Sequence, residues 1–268
     1  MEYKLIAADM DGTLLDDNSR LSERTKSAIA AAVKAGALFV TATGRPMRAA
    51  ENVNELFKED LPFIVFNGVA AVMGKKKDIL FASSLGQDEI KQIYNEGISK
   101  TSVIMWTTGE ELWASEDCEA TREYRKISGA KLNIIDKIDD IAKCGIAKMM
   151  WIDEPEKITY YQREMAEKLK GRVNFYASRP AFLEFVDAKS SKGAALRKIG
   201  EILHIAQSEM IAVGDSDNDI SMLEYAGLGV AMGNASEAVK SVCQEVTLSN
   251  NEDGVAAIIE KYFLKNKN

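Results

Sequence analysis

The sequence predicts an α/β fold: a Rossmann-like, doubly wound parallel sheet interrupted by an inserted α+β block. Three observations predict it. Short apolar runs recur near both ends of the chain and stop at acidic residues, hydroxyls or glycines; amphipathic stretches lie between them; and the middle of the chain carries strands and helices without that polar signature. With 268 residues and 46% hydrophobic content, the chain has apolar surface for one large core and a smaller one.

The first run, Leu5-Ile6-Ala7-Ala8, leads straight into Asp9-Met10-Asp11-Gly12-Thr13-Leu14. It reads as a buried strand delivering carboxylates to its C-terminal edge, where open α/β sheets place ligands. In extended chain Asp9 and Asp11 project the same way. Like charges held close push their pKa values apart, so one could be nucleophile or metal ligand and the other general acid/base. A polar turn with an acidic helix cap is the alternative this stretch alone leaves open. An EF-hand loop is excluded, because its sixth and twelfth positions counted from Asp9 are Leu14 and Arg20.

Ser22 then caps a helix running to about Ala35, with Gly36 as its stop. Leu38 to Ala42 reads as a second buried strand, ending in Thr43-Gly44-Arg45-Pro46. A right-handed crossover of this length brings Thr43 to the same edge as Asp9, where its hydroxyl could hold a phosphoryl oxygen; ordinary turn chemistry is the alternative. A third strand, Phe63 to Phe66, stops at Asn67-Gly68, read as a turn. Runs around Val69 to Met73 and Ile79 to Ala82 flank the basic turn Gly74-Lys75-Lys76-Lys77, read as a solvated hairpin tip. From about Ser84 to Val186 the pattern changes. Helices are predicted over Asp88 to Ser99, Glu119 to Ile127 and Pro155 to Leu169, with strands at Val103 to Trp106, Glu111 to Trp113, Ile146 to Ile152, Val173 to Tyr176 and Phe182 to Val186. This suits an inserted α+β subdomain over residues 84–186, between core segments 1–83 and 187–268.

Sheet-edge signals then resume. Lys192-Gly193 opens an amphipathic helix with Leu196, Ile199 and Leu203 in register, which sets a cation beside helix-terminal N–H groups where an anion is favoured; a solvated lysine is the alternative. Met210 to Val213 forms another strand, ending in Gly214-Asp215-Ser216-Asp217-Asn218-Asp219. Asp215 takes the post-strand place of Asp9, and Asp219 can return to it across one helical turn. If Asp9, Asp215 and Asp219 cluster, each pair costs about 4 kcal/mol at ~4 Å and an effective dielectric of ~20. A divalent cation would remove that cost, and oxygen-only donors point to Mg²⁺ rather than zinc. Gly227 to Gly233 has one residue too many for the dinucleotide fingerprint and lies late, without the preceding strand that motif requires. Gly254 to Phe263 is a closing helix, and Lys265 to Asn268 a frayed end.

Composition excludes several classes. Cys118, Cys144 and Cys243 are too widely spaced for a disulfide framework or a zinc site, and the single histidine, His204, cannot build a histidine-based metal centre. A net charge of −7 disfavours a nucleic-acid partner. There is neither an apolar run long enough to span a membrane nor a signal-peptide pattern, so the expectation is a cytoplasmic protein.

Together, Asp9-x-Asp11-Gly12-Thr13, Thr43-Gly44-Arg45-Pro46, Lys192-Gly193 and Gly214-Asp215-x-x-Asn218-Asp219, each at a strand end or helix start, resemble the four ordered motifs of the haloacid dehalogenase-like superfamily. The Asn67-Gly68 pair narrows the likeness to its Cof-type phosphatases, and the middle block is similar in place and size to their α+β cap. The resemblance implies that Asp9 is the nucleophile taking the phosphoryl group and Asp11 the acid/base. Mg²⁺ would be held by Asp9, the backbone carbonyl of Asp11 and Asp215, with Asp219 in support. Thr43, Gly44, Lys192 and Asn218 would hold the phosphoryl oxygens. The implied activity is hydrolysis of a small phosphorylated metabolite, a sugar phosphate first, through an aspartyl-phosphate. A phosphomutase on the same core and a non-catalytic binding protein are the rival readings. Arg45 on the core, and Arg179, Trp106, Trp113 and Glu184 in the middle block, are candidate substrate contacts; core or rim aromatics and surface charges are the alternative for the four in the middle block. Oligomeric state is not encoded in these motifs.

Overall fold

A computed structural model of the chain describes residues 3–57, 60–74 and 78–264. The lysine turn at 75–77 and the terminal segment 265–268 lie outside these residues. The chain divides into two compact units: Met1–Arg45, Ala49–Phe81 and Ser191–Asn268 form the first, and Pro46–Arg48 with Ala82–Ser190 the second.

The N-terminal strands are β1 (Leu5–Asp9), β2 (Leu38–Ala42), β3 (Pro62–Val65), β4 (Ala70–Met73) and β5 (Asp78–Ala82). The middle of the chain supplies β6 (Ser102–Thr107), β7 (Leu112–Ala114), β8 (Leu132–Ile134), β9 (Ile146–Ile152), β10 (Val173–Arg179) and β11 (Phe182–Asp187). Near the C-terminus follow β12 (Met210–Gly214), β13 (Leu228–Ala231) and β14 (Glu245–Val246).

Eight strands form the sheet of the first unit, in the order β14-β13-β12-β1-β2-β3-β4-β5. β1 lies parallel to β2, from Leu5 opposite Leu38 to Asp9 opposite Ala42, and parallel to β12, from Leu5 opposite Met210 to Ala8 opposite Val213. Both central strands are buried throughout, which is why they read as continuous apolar runs rather than alternating ones. From β1 the chain winds outward through β2 and β3; from β12 it winds the other way through β13 and β14. The reversal falls between β1 and β12, so the crevice beyond their carboxyl ends is the expected ligand site of this Rossmann-like core. Helix Glu23–Lys34 starts at Ser22, whose hydroxyl accepts from the Thr25 N–H, and it packs on the closing helix Gly254–Ile259. Helix Lys192–Leu203 packs on Ile220–Tyr225.

The second unit is built on a six-stranded sheet, β10-β11-β9-β6-β7-β8, mostly antiparallel. Period-2 alternation sends Val103, Met105, Met149, Trp151, Leu183 and Phe185 into one apolar core with Ile90 and Ile93 of helix Gln87–Ile98 and Ile158, Met165 and Leu169 of helix Pro155–Leu169. β8 and the one-turn helix Ile138–Ile141 had no legible signal, being only a few residues each.

Gly227 to Gly233 itself contains a parallel strand, β13, bonded to β12, and the element before it is helix Ile220–Tyr225 rather than a strand. Glycine weakens strand propensity, but Gly229 is required by packing: a Cβ there would stand 2.3 Å from the Leu223 carbonyl oxygen.

Candidate active site

Three elements deliver charge to the crevice beyond β1 and β12. Asp9 is the last residue of β1, Asp215 follows β12, and Lys192 opens its helix one residue after Ser191, whose hydroxyl caps that helix by accepting from the Ala194 N–H. Asp9, Asp215 and Asp219 each bring a carboxylate oxygen within 4.8 Å of the others. The fully buried Lys192 ammonium bonds Asp9 Oδ1 and stands 2.6 Å from Asp219 Oδ1, so it is not a solvated lysine.

Asp219 is committed on both oxygens. Its Oδ2 accepts from the backbone N–H groups of Asp215 (3.1 Å) and Ser216 (3.0 Å), so it braces the loop that carries Asp215. Asp215 is itself oriented by Thr13, whose hydroxyl donates to Oδ1 at 2.7 Å, and by Ser216, which donates to Oδ2 at 3.0 Å. Gly12 makes this approach possible. Its φ of +79° is a left-handed conformation, and a Cβ there would lie 2.6 Å from Asp215 Oδ2.

Burial first, then the Asp219 carboxylate, pushes the Asp9 carboxyl well above the usual carboxylate range, with Lys192 pulling the other way. Burial also raises Asp215, opposed by the Thr13 hydrogen bond. Burial acts to lower Lys192, but Asp219 and Asp9 outweigh it and hold the ammonium above the ordinary lysine value. A crowded, oxygen-only set of this kind suits a hard divalent cation, whose charge would offset the repulsion that burial amplifies.

The other sequence candidates fall in distinct places. Beyond Asp9 the chain leaves the strand, and Asp11 is not in the buried cluster: its exposed carboxylate receives Arg45 Nε at 2.8 Å and Nη2 at 2.5 Å. Thr43 is buried, and its hydroxyl accepts from the Arg45 N–H at 3.1 Å. Gly44 lies against the side chain of Asn67, where a Cβ would come within 2.9 Å of Oδ1. Asn218 donates from Nδ2 to Asn67 Oδ1 at 2.9 Å. Arg179, in the second unit, is exposed at the end of β10 over the Phe182 ring. In that unit too, Trp106 donates to the Tyr124 hydroxyl at 3.0 Å, Trp113 donates to Glu111 at 3.3 Å, and Glu184 pairs with the buried Lys148 at 3.0 Å.

Sequence reasoning missed Thr13 as an orienting group, Asn67 as more than a turn residue, and Asn234, whose side chain donates to the Gly12 carbonyl at 2.8 Å. Thr13 had a usable signal, a hydroxyl two residues past an acidic pair. Asn234 had none, since its partner is 222 positions away.

A family model described as haloacid dehalogenase-like hydrolase matches residues 6–259. Protein YxeH of Bacillus subtilis (strain 168) is 33% identical over 98% of this chain and 99% of its own length. The 5-amino-6-(5-phospho-D-ribitylamino)uracil phosphatase YitU of the same organism is 30% identical, over 98% of this chain and 99% of its own. Among solved structures, TM0651 from Thermotoga maritima superposes with a TM-score of 0.84 at 30% identity, covering 97% of each chain. No helix among the described residues is long and apolar enough to cross a membrane. Strand-end acids, buried lysine and full-length similarity converge, and the chain belongs to the haloacid dehalogenase-like hydrolase family, as an enzyme of the phosphatase kind.

Proposed function

We propose that this phosphatase is Mg²⁺-dependent and cytoplasmic, and that it hydrolyses a small phosphorylated metabolite, a sugar phosphate first, through an aspartyl-phosphate. The observation that carries the reading is the convergence of Asp9, Asp215 and Asp219 within 4.8 Å at the strand reversal, with the Lys192 ammonium on two of them.

Asp9 attacks phosphorus: a bond forms from its carboxylate oxygen as the ester P–O bond breaks, and Asp11 gives its proton to the departing oxygen. Asp11 then takes a proton from water, whose oxygen attacks the aspartyl-phosphate, releasing phosphate and restoring Asp9. Lys192, Thr43, the Gly44 backbone and Asn218 hold the phosphoryl oxygens, and Arg45 and Arg179 are proposed substrate contacts. Asp9, Asp215 and the Asp11 carbonyl would hold the cation, with Asp219 bracing Asp215. When bound, it supplies positive charge that offsets the crowded carboxylates and the phosphoryl charge. Little else is asked of the protein, because phosphoryl transfer is mainly positioning and charge neutralisation. The second unit is assigned the setting of substrate specificity.

The test is phosphate release from a panel of phosphorylated sugars, cofactors and nucleotides, with Mg²⁺ and with excess chelator. Release from sugar phosphates that requires Mg²⁺ is expected. Full activity in chelator, or no release from any phosphomonoester, would overturn the reading.

A further inference from the structure

Asn67 stands at the end of β3, in a turn that the sequence marks only as Asn-Gly. The turn has an unusual backbone: Phe66, Asn67 and Gly68 all have positive φ, at 51°, 57° and 98°. Asparagine tolerates this left-handed conformation, whereas phenylalanine adopts it against a steric cost. Such a cost persists only where surrounding contacts hold it in place. Here several of those contacts lead to the proposed phosphoryl- and substrate-binding groups. The Asn67 N–H donates to the Thr43 carbonyl at 3.0 Å, and the Phe66 N–H donates to the Arg45 carbonyl at 3.1 Å. The Asn67 side chain is buried against Gly44, where a Cβ would stand 2.9 Å from its Oδ1. Gly68 meets the chain just ahead of Lys192, where a Cβ would stand 2.1 Å from the Ser191 carbonyl oxygen.

The side-chain bond is the most specific of these. Asn218 donates one Nδ2 hydrogen to Asn67 Oδ1. A carboxamide is planar with two N–H bonds on one nitrogen, so fixing one of them fixes the direction of the other and of the carbonyl oxygen. We propose that Asn67 is a positioning residue for phosphoryl transfer: through Asn218 it sets the amide plane that meets a phosphoryl oxygen, and through its turn it holds the Thr43-Gly44 loop. The proposal rests on the phosphatase reading above.

Asn67→Gly separates side chain from backbone, because glycine keeps the left-handed turn without the amide. In the full chain with Mg²⁺, kcat toward the best phosphomonoester found is expected to fall about 10- to 100-fold, and inhibition by inorganic phosphate to weaken in step. The melting temperature should stay within about 3 °C of the unsubstituted protein, since a surface-independent side-chain loss of this kind leaves the sheet intact. Asn218→Ala should show a similar loss, and the double variant should be no worse than Asn218→Ala by more than about threefold, because the two groups act as one unit.

Three results would overturn the proposal. One is an Asn67→Gly enzyme within about twofold of the original in both kcat and phosphate inhibition. Another is multiplication of the two losses in the double variant. The last is an activity loss that tracks a fall in melting temperature and vanishes at lower assay temperature, which assigns the turn a structural role only. The two levels are distinguishable: an original protein that releases no phosphate from any ester with Mg²⁺ ends the phosphatase reading and this proposal together, whereas an active original with an unimpaired Asn67→Gly ends this proposal alone.

Discussion

Lys192 Nζ and Asp219 Oδ1 lie 2.6 Å apart with both side chains fully out of solvent, and Asp9 shares the same ammonium. A buried charge set of this kind is costly to assemble but more costly to break, because removing one member leaves the others unpaired. Lys192→Met should therefore destabilise the chelator-treated protein by about 3–5 kcal/mol, as three carboxylates then face one another without a cation. Mg²⁺ should restore more of the loss in this variant than it adds to the original protein. Denaturant unfolding with and without Mg²⁺ measures both, and a variant as stable as the original in chelator would refute the assigned role.

The raised pKa values of Asp9 and Asp215 set the sign of a pH dependence. Each binds its proton more tightly folded than unfolded, so the folded state holds more protons between the unfolded carboxylate value, about 4, and the raised folded value. Their contribution to stability falls as pH rises through that window. A cation competes with those same protons, so the rise in melting temperature produced by Mg²⁺ should be larger at about pH 7.5 than at about pH 5. Asp215→Asn should remove most of that rise. An increment that is constant or shrinking with pH would contradict the cluster as the binding site.

Much of this site was legible because its residues end strands. Asp9, Thr43 and Asp215 each follow an apolar run, parallel pairing puts those ends on one edge, and the four-residue spacing from Asp215 to Asp219 needs only one helical turn. What could not be read depends on distant partners. Asn67 carries a local turn signal, and its bond to Asn218 spans 151 positions. The pairing of Asp11 with Arg45 was hidden for a different reason: simple alternation sends Asp11 the same way as Asp9, but the strand ends at Asp9 and Gly12 turns the chain. In the second unit the long strands and helices were visible through their periodicity, while β8, three residues long, was not.

Within the second unit, Lys148 and Glu184 form a buried ion pair at 3.0 Å, and Ser178 donates to the same Glu184 oxygen at 2.9 Å. Burial acts to lower the Lys148 pKa, and Glu184, with Tyr124 beside it, more than restores it. Glu184→Leu removes the carboxylate that pairs with a buried ammonium and should cost about 3–5 kcal/mol, while Lys148→Met with Glu184→Leu should recover most of that loss. Denaturant midpoints of the single and double variants decide it. A double variant no better than the single would mean that the pair contributes more than mutual compensation.

Arg45 and Asp11 bear on the chemistry directly, because the guanidinium bonds both oxygens of the proposed acid/base. A bidentate grip fixes the orientation of a carboxylate on an otherwise exposed turn. Asp9→Asn removes the nucleophile and should abolish turnover of every substrate. Asp11→Asn keeps nucleophile and cation but cannot protonate an alkoxide, so its loss should be large for a sugar phosphate and smaller for an aryl phosphate, whose phenolate leaves unaided. Arg45→Ala should show the same leaving-group dependence with a smaller amplitude, because Asp11 is present but no longer held. Rapid-quench kinetics on the two substrates in each variant measures the ratio. Equal fractional losses for both leaving groups in Asp11→Asn would mean that Asp11 is not the proton donor, and a leaving-group-independent loss in Arg45→Ala would mean that Arg45 acts on the substrate rather than through Asp11.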